Sequence, residues 1–389
     1  LEGGQFVLEQ DGTRRAHARL RALVKRGFSI LKIDVQNAFG TIERSHILDS
    51  IPHDAPGAKL ARLLYAQPTT AYHARAPGAG FVIDRGVIQG CAFASGLFAT
   101  ALSSALKAGL PGVLVAPLIG APDADYNLQG QYMAGFADDL YVACRDNATL
   151  AATARDIAGI IGTLGLVMAP GKSRLMMGED KEVPGTLVNA LTPCLDVLGA
   201  PIAPPGAEAL EAERVGETLA EIRPIIASIA ELSDPQHVVR ALSLAGAWSR
   251  AEHVVSLASR LPADALAELE EAEAQALKVA LGQWACDLDA VAWAIATLPT
   301  RFGGLGLRSP TAEARDHACL TAQRMDLLET GQGVALASLK TGMKYAANAR
   351  HSLTLRALAA VLPHTDLARL RLAPADRGGL AFEIDAAHH

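Results

Sequence analysis

The chain is poor in aromatic residues and in cysteine. Aromatic residues make up 5% of the 389 positions while half of all residues are hydrophobic, so the core must be built mainly from alanine, leucine, valine and isoleucine. The five cysteines are far apart and form no Cys-x-x-Cys pair. This spacing excludes a disulfide framework and a zinc ribbon, and it indicates a reducing compartment.

A hydrophobic run suited to a membrane is also missing. Residues 86–106 carry no charge, and a run of that length could span a bilayer. Glycine, serine and threonine interrupt the run, so we expect no membrane association. The chain begins with Leu1 rather than methionine and shows no basic-then-apolar leader. We therefore expect a piece of a longer polyprotein.

The chain lacks the basic excess that is usual in proteins that bind nucleic acid strongly. Its formal net charge is −6, and the acidity is concentrated in residues 201–330, which contain 19 acidic and 10 basic residues. This balance counts against a simple nucleic-acid-binding module. If this block does bind a duplex, its cations, among them Arg214 and Arg223, must share one face, and Glu268 and Glu273 must point away from it.

Two kinds of pattern divide the chain. Strand-like apolar runs alternate with helical patterns up to about residue 200, and residues 207–297, beyond the proline-rich segment 201–206, are almost entirely helical in pattern. This order predicts an α+β domain followed by an α-helical domain. The expected domains are residues 1–204, 205–310 and 311–389.

Two neighbouring acids, Asp138 and Asp139, separate the strand-like runs 131–137 and 140–144, and another predicted strand ends at Asp34. A solvated turn is the ordinary interpretation of an Asp-Asp pair. If the strands are neighbours, however, three carboxylates converge and need cations to neutralise them. Hard oxygen ligands select Mg²⁺ or Mn²⁺, and two such ions can clamp the attacking and leaving oxygens of a phosphoryl transfer.

Five segments, in this order, resemble the motifs of the reverse transcriptase domain of non-LTR (LINE-type) retrotransposons. They are LKIDVQNAF at 31–39, RGVIQGC at 85–91, FADD at 136–139, GLVMAPGKS at 165–173 and VLGAPI at 197–202. A further block, residues 298–307, resembles a segment found after the thumb in some of these elements. The resemblance implies a right-hand polymerase palm, in which helices back an antiparallel sheet, with partial fingers and a following α-helical thumb.

The resemblance also implies the function. A reverse transcriptase is an RNA-directed DNA polymerase that extends a DNA primer on an RNA template with dNTPs, using two Mg²⁺ ions, or Mn²⁺ in their place. A retrotransposon enzyme would act in the nucleus. By the same resemblance, Asp34 and Asp138 would hold both metals, the Val35 carbonyl would be a further ligand, and Asp139 would support them.

Four more residues receive roles from the resemblance. Phe39 would be the steric gate that rejects a ribose 2′-hydroxyl, Gln89 and Gly90 would line the nucleotide and template, and Lys172 would protonate the pyrophosphate leaving group. Three of them have a plainer alternative, because Phe39 could be a core residue, Gln89 a turn residue and Lys172 a solvated loop residue.

The sequence departs from the family pattern in two places. Cys91-Ala92-Phe93 stands where the second motif usually continues with Pro-Leu, and the basic fingers hairpin that grips the triphosphate is not among residues 1–389. We therefore expect this chain alone to bind divalent metal but to extend a primer poorly. Two alternatives remain, a decayed or domesticated reverse transcriptase that serves as an RNA-binding scaffold, and an RNA-dependent RNA polymerase, which Phe39 disfavours.

Overall fold

A computed structural model of the chain contains two compact units. The described residues are 12–73, 76–88, 90–110, 113–115, 131–180, 182–282 and 290–315. Among them, the first unit comprises residues 12–198 and 202–206, and the second comprises 199–201 and 207–315. In these described ranges no helix is both long enough and apolar enough to cross a membrane.

The first unit combines helices with a five-stranded sheet. Its described helices are α1 (Gly12–Lys25), α2 (Ala38–Thr41), α3 (Arg44–Asp49), α4 (Ala58–Tyr65), α5 (Ala94–Gly109) and α6 (Asn147–Thr163), with a 3₁₀ helix at Gly185–Ala190. The strands are β1 (Ser29–Ile33), β2 (Thr69–His73), β3 (Ala76–Ile83), β4 (Val113–Val115), β5 (Gln131–Phe136), β6 (Asp139–Cys144), β7 (Arg174–Met176), β8 (Leu195–Val197) and β9 (Ala200–Ile202).

The strand order of the large sheet is β4-β5-β6-β1-β7. Every neighbouring pair is antiparallel except β4 with β5, which is parallel. β2 with β3 and β8 with β9 form separate two-stranded sheets. The predicted α+β palm with a mainly antiparallel sheet is therefore confirmed.

Helices cover both faces of the large sheet. Leu31 and Leu140 belong to one apolar cluster together with side chains of α5 and α6. Ile30 and Tyr141 belong to another cluster, together with side chains of α1. Because successive side chains of a strand point to opposite faces, β1, β5, β6 and β7 each contribute to both clusters. The sheet is thus a rigid support for the residues that follow its strand ends.

The β2–β3 hairpin differs from expectation in the position of its turn. The sequence suggests a turn at 76–78, but β3 already begins at Ala76 and includes Pro77 and Gly78. A proline fits there because both strands of a two-stranded sheet are edge strands, so a missing N–H need not break a hydrogen-bonded ladder.

The second unit is helical throughout its described residues, apart from the short strand it shares at its start. Its helices are α7 (Glu208–Ala220), α8 (Arg223–Ala230), α9 (Pro235–Ala245), α10 (Ala247–Leu257), α11 (Ala263–Leu281) and α12 (Ala290–Ala296), with a 3₁₀ helix at Thr300–Phe302. Trp248, Leu269 and Leu277 are among its fully buried residues. The expectation of a helical second part is confirmed.

The expected separation of cations from acids in the second unit is wrong for several residues. The guanidinium of Arg223 contacts the carboxylate of Glu268, and Arg214 lies 2.9 Å from Glu217. Glu273 is buried rather than directed to solvent. Pairing neighbouring opposite charges lowers their energy locally, and a charge count cannot show which acids are used in this way.

One partly buried carboxylate organises the end of the second unit. Glu270 on α11 accepts hydrogen bonds from the Trp293 indole at 2.7 Å, the Ser309 hydroxyl at 2.9 Å and the Thr311 backbone N–H at 3.1 Å. Hydrogen bonds to a charged acceptor are stronger than neutral ones. Glu270 therefore fixes α12 and the segment after residue 298 onto α11.

We predict that Glu270→Ala destabilises the second unit by about 2–3 kcal/mol, since the donors of Trp293, Ser309 and Thr311 lose a charged acceptor. The measurement is the unfolding transition followed by calorimetry. Glu271→Ala is the matched control, because Glu271 is exposed one position further along the same helix. Equal midpoints for the two variants would show that Glu270 does not organise this segment.

Candidate active site

Asp34 directly follows β1 and lies beside the acidic hairpin. Ile33 pairs with Leu140, so the antiparallel register continues with Asp34 opposite Asp139 at the start of β6. Val35 is buried in the cluster that includes α5 and α6. Because side chains alternate, Asp34 is directed to the other face of the sheet, which is the face of Asp139.

The backbone of Asp34 is fixed by the segment 165–173. Its N–H donates to the Ser173 hydroxyl at 3.5 Å, and its carbonyl accepts from the Ala169 N–H at 2.8 Å. The Ser173 hydroxyl in turn donates to the Ala169 carbonyl at 3.1 Å. The fourth motif-like segment, residues 165–173, therefore holds the backbone of Asp34 in place.

The carbonyl of Val35 is directed toward the acidic hairpin. Val35 forms an antiparallel bridge with Met168, in which Gln36 N–H donates to the Val167 carbonyl at 2.8 Å. In a bridge of this kind the two central residues are not hydrogen-bonded to each other, so their own backbone groups point away from the partner. For Val35, away from the partner means toward the β6 side of the sheet.

Asp138 occupies a strained two-residue turn. Phe136 pairs with Asp139, which leaves Ala137 and Asp138 as the connection between β5 and β6. Ala137 has a φ of 56°, a left-handed conformation that is unfavourable for a residue with a side chain. Such strain costs about 1–3 kcal/mol and persists only where the surroundings enforce it. The two buried strands enforce it here and hold Asp138 at the tip.

Burial raises the pKa of Asp138 above its usual value of 3.8 because it disfavours the charged carboxylate. The negative charges of Asp139 and Asp34 raise this pKa further, while the Lys32 ammonium opposes them. The three acids therefore share one electrostatic environment. A cation placed among them would favour ionised Asp138.

Lys32 is a residue of this site that the sequence analysis missed. Its ammonium lies 3.3 Å from a carboxylate oxygen of Asp139, whose other oxygen accepts a hydrogen bond from the Tyr141 hydroxyl at 3.4 Å. Lys32 also donates to the Asp196 carbonyl at 3.5 Å. The available signal was its position two residues before Asp34, which places both side chains on one face of the strand.

The oxygen donors at the ends of β1, β5 and β6 suit a magnesium ion. The part of the chain that the structure describes contains no group of three or more His, Cys, Asp or Glu side chains placed to hold a metal. Mg²⁺, however, is usually held by one or two carboxylates together with water and substrate phosphates. Asp34, Asp138 and the Val35 carbonyl fit that pattern, and Asp139 is engaged by Lys32. The metal ligands remain a prediction.

The remaining predicted residues lie around the second motif-like segment. The Phe39 ring is partly buried and stacks on Phe98, with ring centres 4.7 Å apart and planes at 20°. The Phe39 carbonyl accepts from the Val87 N–H at 2.7 Å. Gly90 is exposed and adopts a φ of 84°, which favours glycine. Gln89 lies outside the described residues.

Lys172 lies in the turn that braces Asp34. Its side chain is exposed, and its backbone N–H donates to the Ala169 carbonyl at 3.0 Å. Lys172 directly precedes Ser173, whose hydroxyl accepts a hydrogen bond from the Asp34 N–H, so its backbone lies close to Asp34. Its role as a proton donor to pyrophosphate remains a prediction.

We predict that Asp138→Asn raises the thermal unfolding midpoint at pH 7. The folded protein holds the Asp138 proton more tightly than the unfolded chain, so ionisation of Asp138 opposes folding at pH values above about 3.8. Asparagine removes this penalty. The difference in unfolding midpoint between variant and wild type should therefore shrink as the pH falls toward 3.8. Mg²⁺ should raise the midpoint of the wild type more than that of the variant.

The control for this measurement is Asp156→Asn, which changes an exposed acid on α6. A variant at Asp138 that is no more stable than wild type at any pH would contradict the proposed electrostatic environment. A Mg²⁺ response that is identical in both proteins would contradict a metal ligand at this position.

Comparisons with known proteins agree with this geometry at the level of the family. Residues 8–207 match the family model described as reverse transcriptase (RNA-dependent DNA polymerase). A search of curated proteins finds no match.

Three similar solved structures are telomerases. Apo telomerase from Candida tropicalis has 10% identity and a TM-score of 0.41, with 87% of this chain and 56% of that chain covered. A form of it truncated from the C-terminal domain has 13% identity and a TM-score of 0.37, covering 50% and 38%. Telomerase from Candida albicans in complex with a TWJ fragment of telomeric RNA has 9% identity and a TM-score of 0.38, covering 88% and 53%.

The chain thus spans roughly half, or less, of the length of these solved proteins. The family match extends over 200 of the 389 residues, more than half of the chain, and includes all the acids of the candidate site. The chain therefore belongs to the reverse transcriptase (RNA-dependent DNA polymerase) family.

Proposed function

We propose that this protein is an RNA-directed DNA polymerase that extends a DNA primer on an RNA template with dNTPs. The observation that carries the proposal is the placement of Asp34 opposite Asp139, with Asp138 in the strained turn between β5 and β6. Neighbouring carboxylates at the ends of strands in a rigid sheet are suited to divalent ions, and such ions support phosphoryl transfer.

In this proposal Asp34, Asp138 and the Val35 carbonyl hold two Mg²⁺ ions, which Mn²⁺ can replace. When bound, the ions supply charge neutralisation for attack by the primer 3′-hydroxyl on the α-phosphate. Lys32 keeps Asp139 in place beside them. Lys172 donates the proton that the pyrophosphate leaving group requires, since an exposed ammonium in the turn behind Asp34 can approach a bound triphosphate.

The order of the five motif-like segments and the block at 298–307 support an origin in a non-LTR retrotransposon. Such an element encodes a longer polyprotein and copies itself in the nucleus, so we propose a nuclear enzyme with the domains expected from the sequence, residues 1–204, 205–310 and 311–389. The RNA template, the DNA primer and dNTPs are the partners that this proposal requires.

The test is primer extension on an RNA template with dNTPs and Mg²⁺, comparing wild type with Asp138→Asn. We expect extension by the wild type once the segment expected upstream of Leu1 is supplied, and a loss of at least about a hundredfold in the variant under the same conditions, since a metal ligand acts on every turnover. The exposed Asp156→Asn variant should retain wild-type extension.

Extension that persists in Asp138→Asn would contradict the catalytic assignment. A wild-type protein that binds RNA but extends no primer, with or without the segment expected upstream of Leu1, would favour the scaffold alternative. Extension with NTPs in preference to dNTPs would favour an RNA polymerase.

The sugar gate has its own test. We predict that Phe39→Val increases the use of NTPs relative to dNTPs by about tenfold or more, because a smaller side chain no longer excludes the 2′-hydroxyl. The measurement is the ratio of kcat/KM for a matched dNTP and NTP pair. Phe81→Val, a change of an exposed phenylalanine on β3, is the control. An unchanged ratio in an active Phe39 variant would return Phe39 to a role in the core.

A further inference from the structure

The turn at 86–91, of which the structure describes residues 86–88 and 90–91, is contacted by two buried side chains, Arg44 and Tyr65. Both are more than nine-tenths buried, with 6% of Arg44 and 1% of Tyr65 exposed. They contact the turn at its beginning, its middle and its end.

Arg44 holds the beginning of the turn. Its Nε donates to the Gly86 carbonyl at 3.0 Å, and one terminal nitrogen donates to the Gln67 carbonyl at 2.9 Å. The other terminal nitrogen, Nη2, is buried and has no hydrogen-bond partner among the described residues. The guanidinium lies over the Tyr65 ring, with its carbon 5.4 Å from the ring centre. The fork thus joins α3 to two separate loops.

A buried guanidinium in such surroundings is costly. The structure shows no carboxylate in contact with Arg44 in the described ranges, so two carbonyls, the Thr69 hydroxyl at 3.4 Å and an aromatic face compensate the charge. A buried charge without an ionic partner costs several kcal/mol before such contacts are counted. A leucine at this position would cover the same core without that cost. What leucine could not provide are the hydrogen bonds of the guanidinium to the Gly86 and Gln67 carbonyls.

Tyr65 holds the middle and the end of the turn. Its hydroxyl accepts from the Ile88 N–H at 3.2 Å and is hydrogen-bonded to the Cys91 thiol. Burial raises the pKa of Tyr65 to about 12, which further favours the protonated hydroxyl that can donate to the Cys91 sulfur. One hydroxyl therefore connects two residues that flank Gly90.

The same turn is connected to the segment that carries Phe39. Val87 N–H donates to the Phe39 carbonyl at 2.7 Å, and Gly86 N–H donates to the Ile42 carbonyl at 2.8 Å. A Cβ on Gly86 would lie 2.5 Å from the Phe39 carbonyl oxygen, so no other residue fits without a shift. The backbone of the turn is therefore bonded directly to the segment that carries the proposed sugar gate.

We propose that Arg44 and Tyr65 are positioning residues that fix the 86–91 turn relative to Phe39 and thereby determine how tightly the incoming dNTP is bound. The inference rests on the proposed polymerase function. Neither side chain contacts the nucleotide in this proposal, and both act through the backbone of the turn. A displacement of about 1 Å at such a turn is enough to weaken binding of an oriented substrate.

Two substitutions separate the contacts. Tyr65→Phe keeps the ring under Arg44 and removes only the hydroxyl that holds Ile88 and Cys91. Arg44→Lys keeps the positive charge but cannot donate to the Gly86 and Gln67 carbonyls at the same time, because an ammonium lacks the planar, forked arrangement of donors of a guanidinium. Tyr72→Phe is the matched control, since Tyr72 is 68% exposed on β2.

The readout is the protection of Cys91 by nucleotide, which requires no catalysis. Cys91 is partly exposed at the end of the turn. The protein is incubated with Mg²⁺, an RNA template and a primer that ends in a dideoxynucleotide, and N-ethylmaleimide labelling of Cys91 is followed by mass spectrometry. The dNTP that pairs with the template is titrated, and each variant is normalised to its own labelling rate without nucleotide.

We expect the wild type and Tyr72→Phe to be protected at the same dNTP concentration. Tyr65→Phe and Arg44→Lys should need about five- to tenfold more dNTP, the effect of losing about one hydrogen bond that orders the site. In primer extension the KM for dNTP should rise by a similar factor, with a smaller change in kcat. Labelling of Cys194, a second partly exposed thiol, should not respond to dNTP.

Half-protecting concentrations and KM values that match wild type in both variants would overturn the inference while leaving the polymerase proposal intact. Failure of dNTP to protect Cys91 in a wild-type protein that extends primers would also overturn it, because the turn would then lie away from the nucleotide. Absence of both extension and protection in the wild type, even with the segment expected upstream of Leu1 supplied, would instead refute the proposed function and this inference with it.

Discussion

The antiparallel pairing of β1 with β6 determines where the acids of the candidate site lie. The register of Ile33 with Leu140 brings Asp34 opposite Asp139, and the connection from β5 then places Asp138 at the tip. A slip of one residue would direct the acids of one strand to the opposite face. The buried side chains on both faces of the sheet exclude such a slip, so the core specifies the site.

Backbone contacts from distant segments then hold the acids in place. The Ala169 N–H and the Ser173 hydroxyl hold the backbone of Asp34, and Lys32 holds the carboxylate of Asp139. Ala137 adopts a left-handed conformation because the pairing of β5 with β6 leaves only two residues to connect the strands. The palm therefore keeps together carboxylates that repel one another, and packing elsewhere in the sheet offsets the cost.

The sequence predicted the fold and the acidic residues because their signals are local. The alternation of apolar residues before Asp34 and on both sides of Asp138 is visible in short windows, and so is the change to helical periodicity after residue 206. The contacts of Lys32 and Arg44 were not predictable in this way. Arg44 bonds a carbonyl 42 positions away, and only the folded chain brings the two together. The roles of Phe39 and Lys172 depend on a bound nucleotide and remain predictions.

The lack of a basic excess has a local counterpart at the site. Among the described residues, the cation that contacts these three acids is Lys32, which pairs with Asp139, so their side chains contribute more negative than positive charge. Arg44, the buried cation of the neighbouring turn, is directed to backbone carbonyls. Attraction of a polyanionic substrate therefore cannot come from these side chains. In the proposed reaction, divalent ions held by the same carboxylates would add to the attraction supplied by Lys172 and by the basic fingers hairpin expected upstream, so that metal binding and nucleotide binding are coupled.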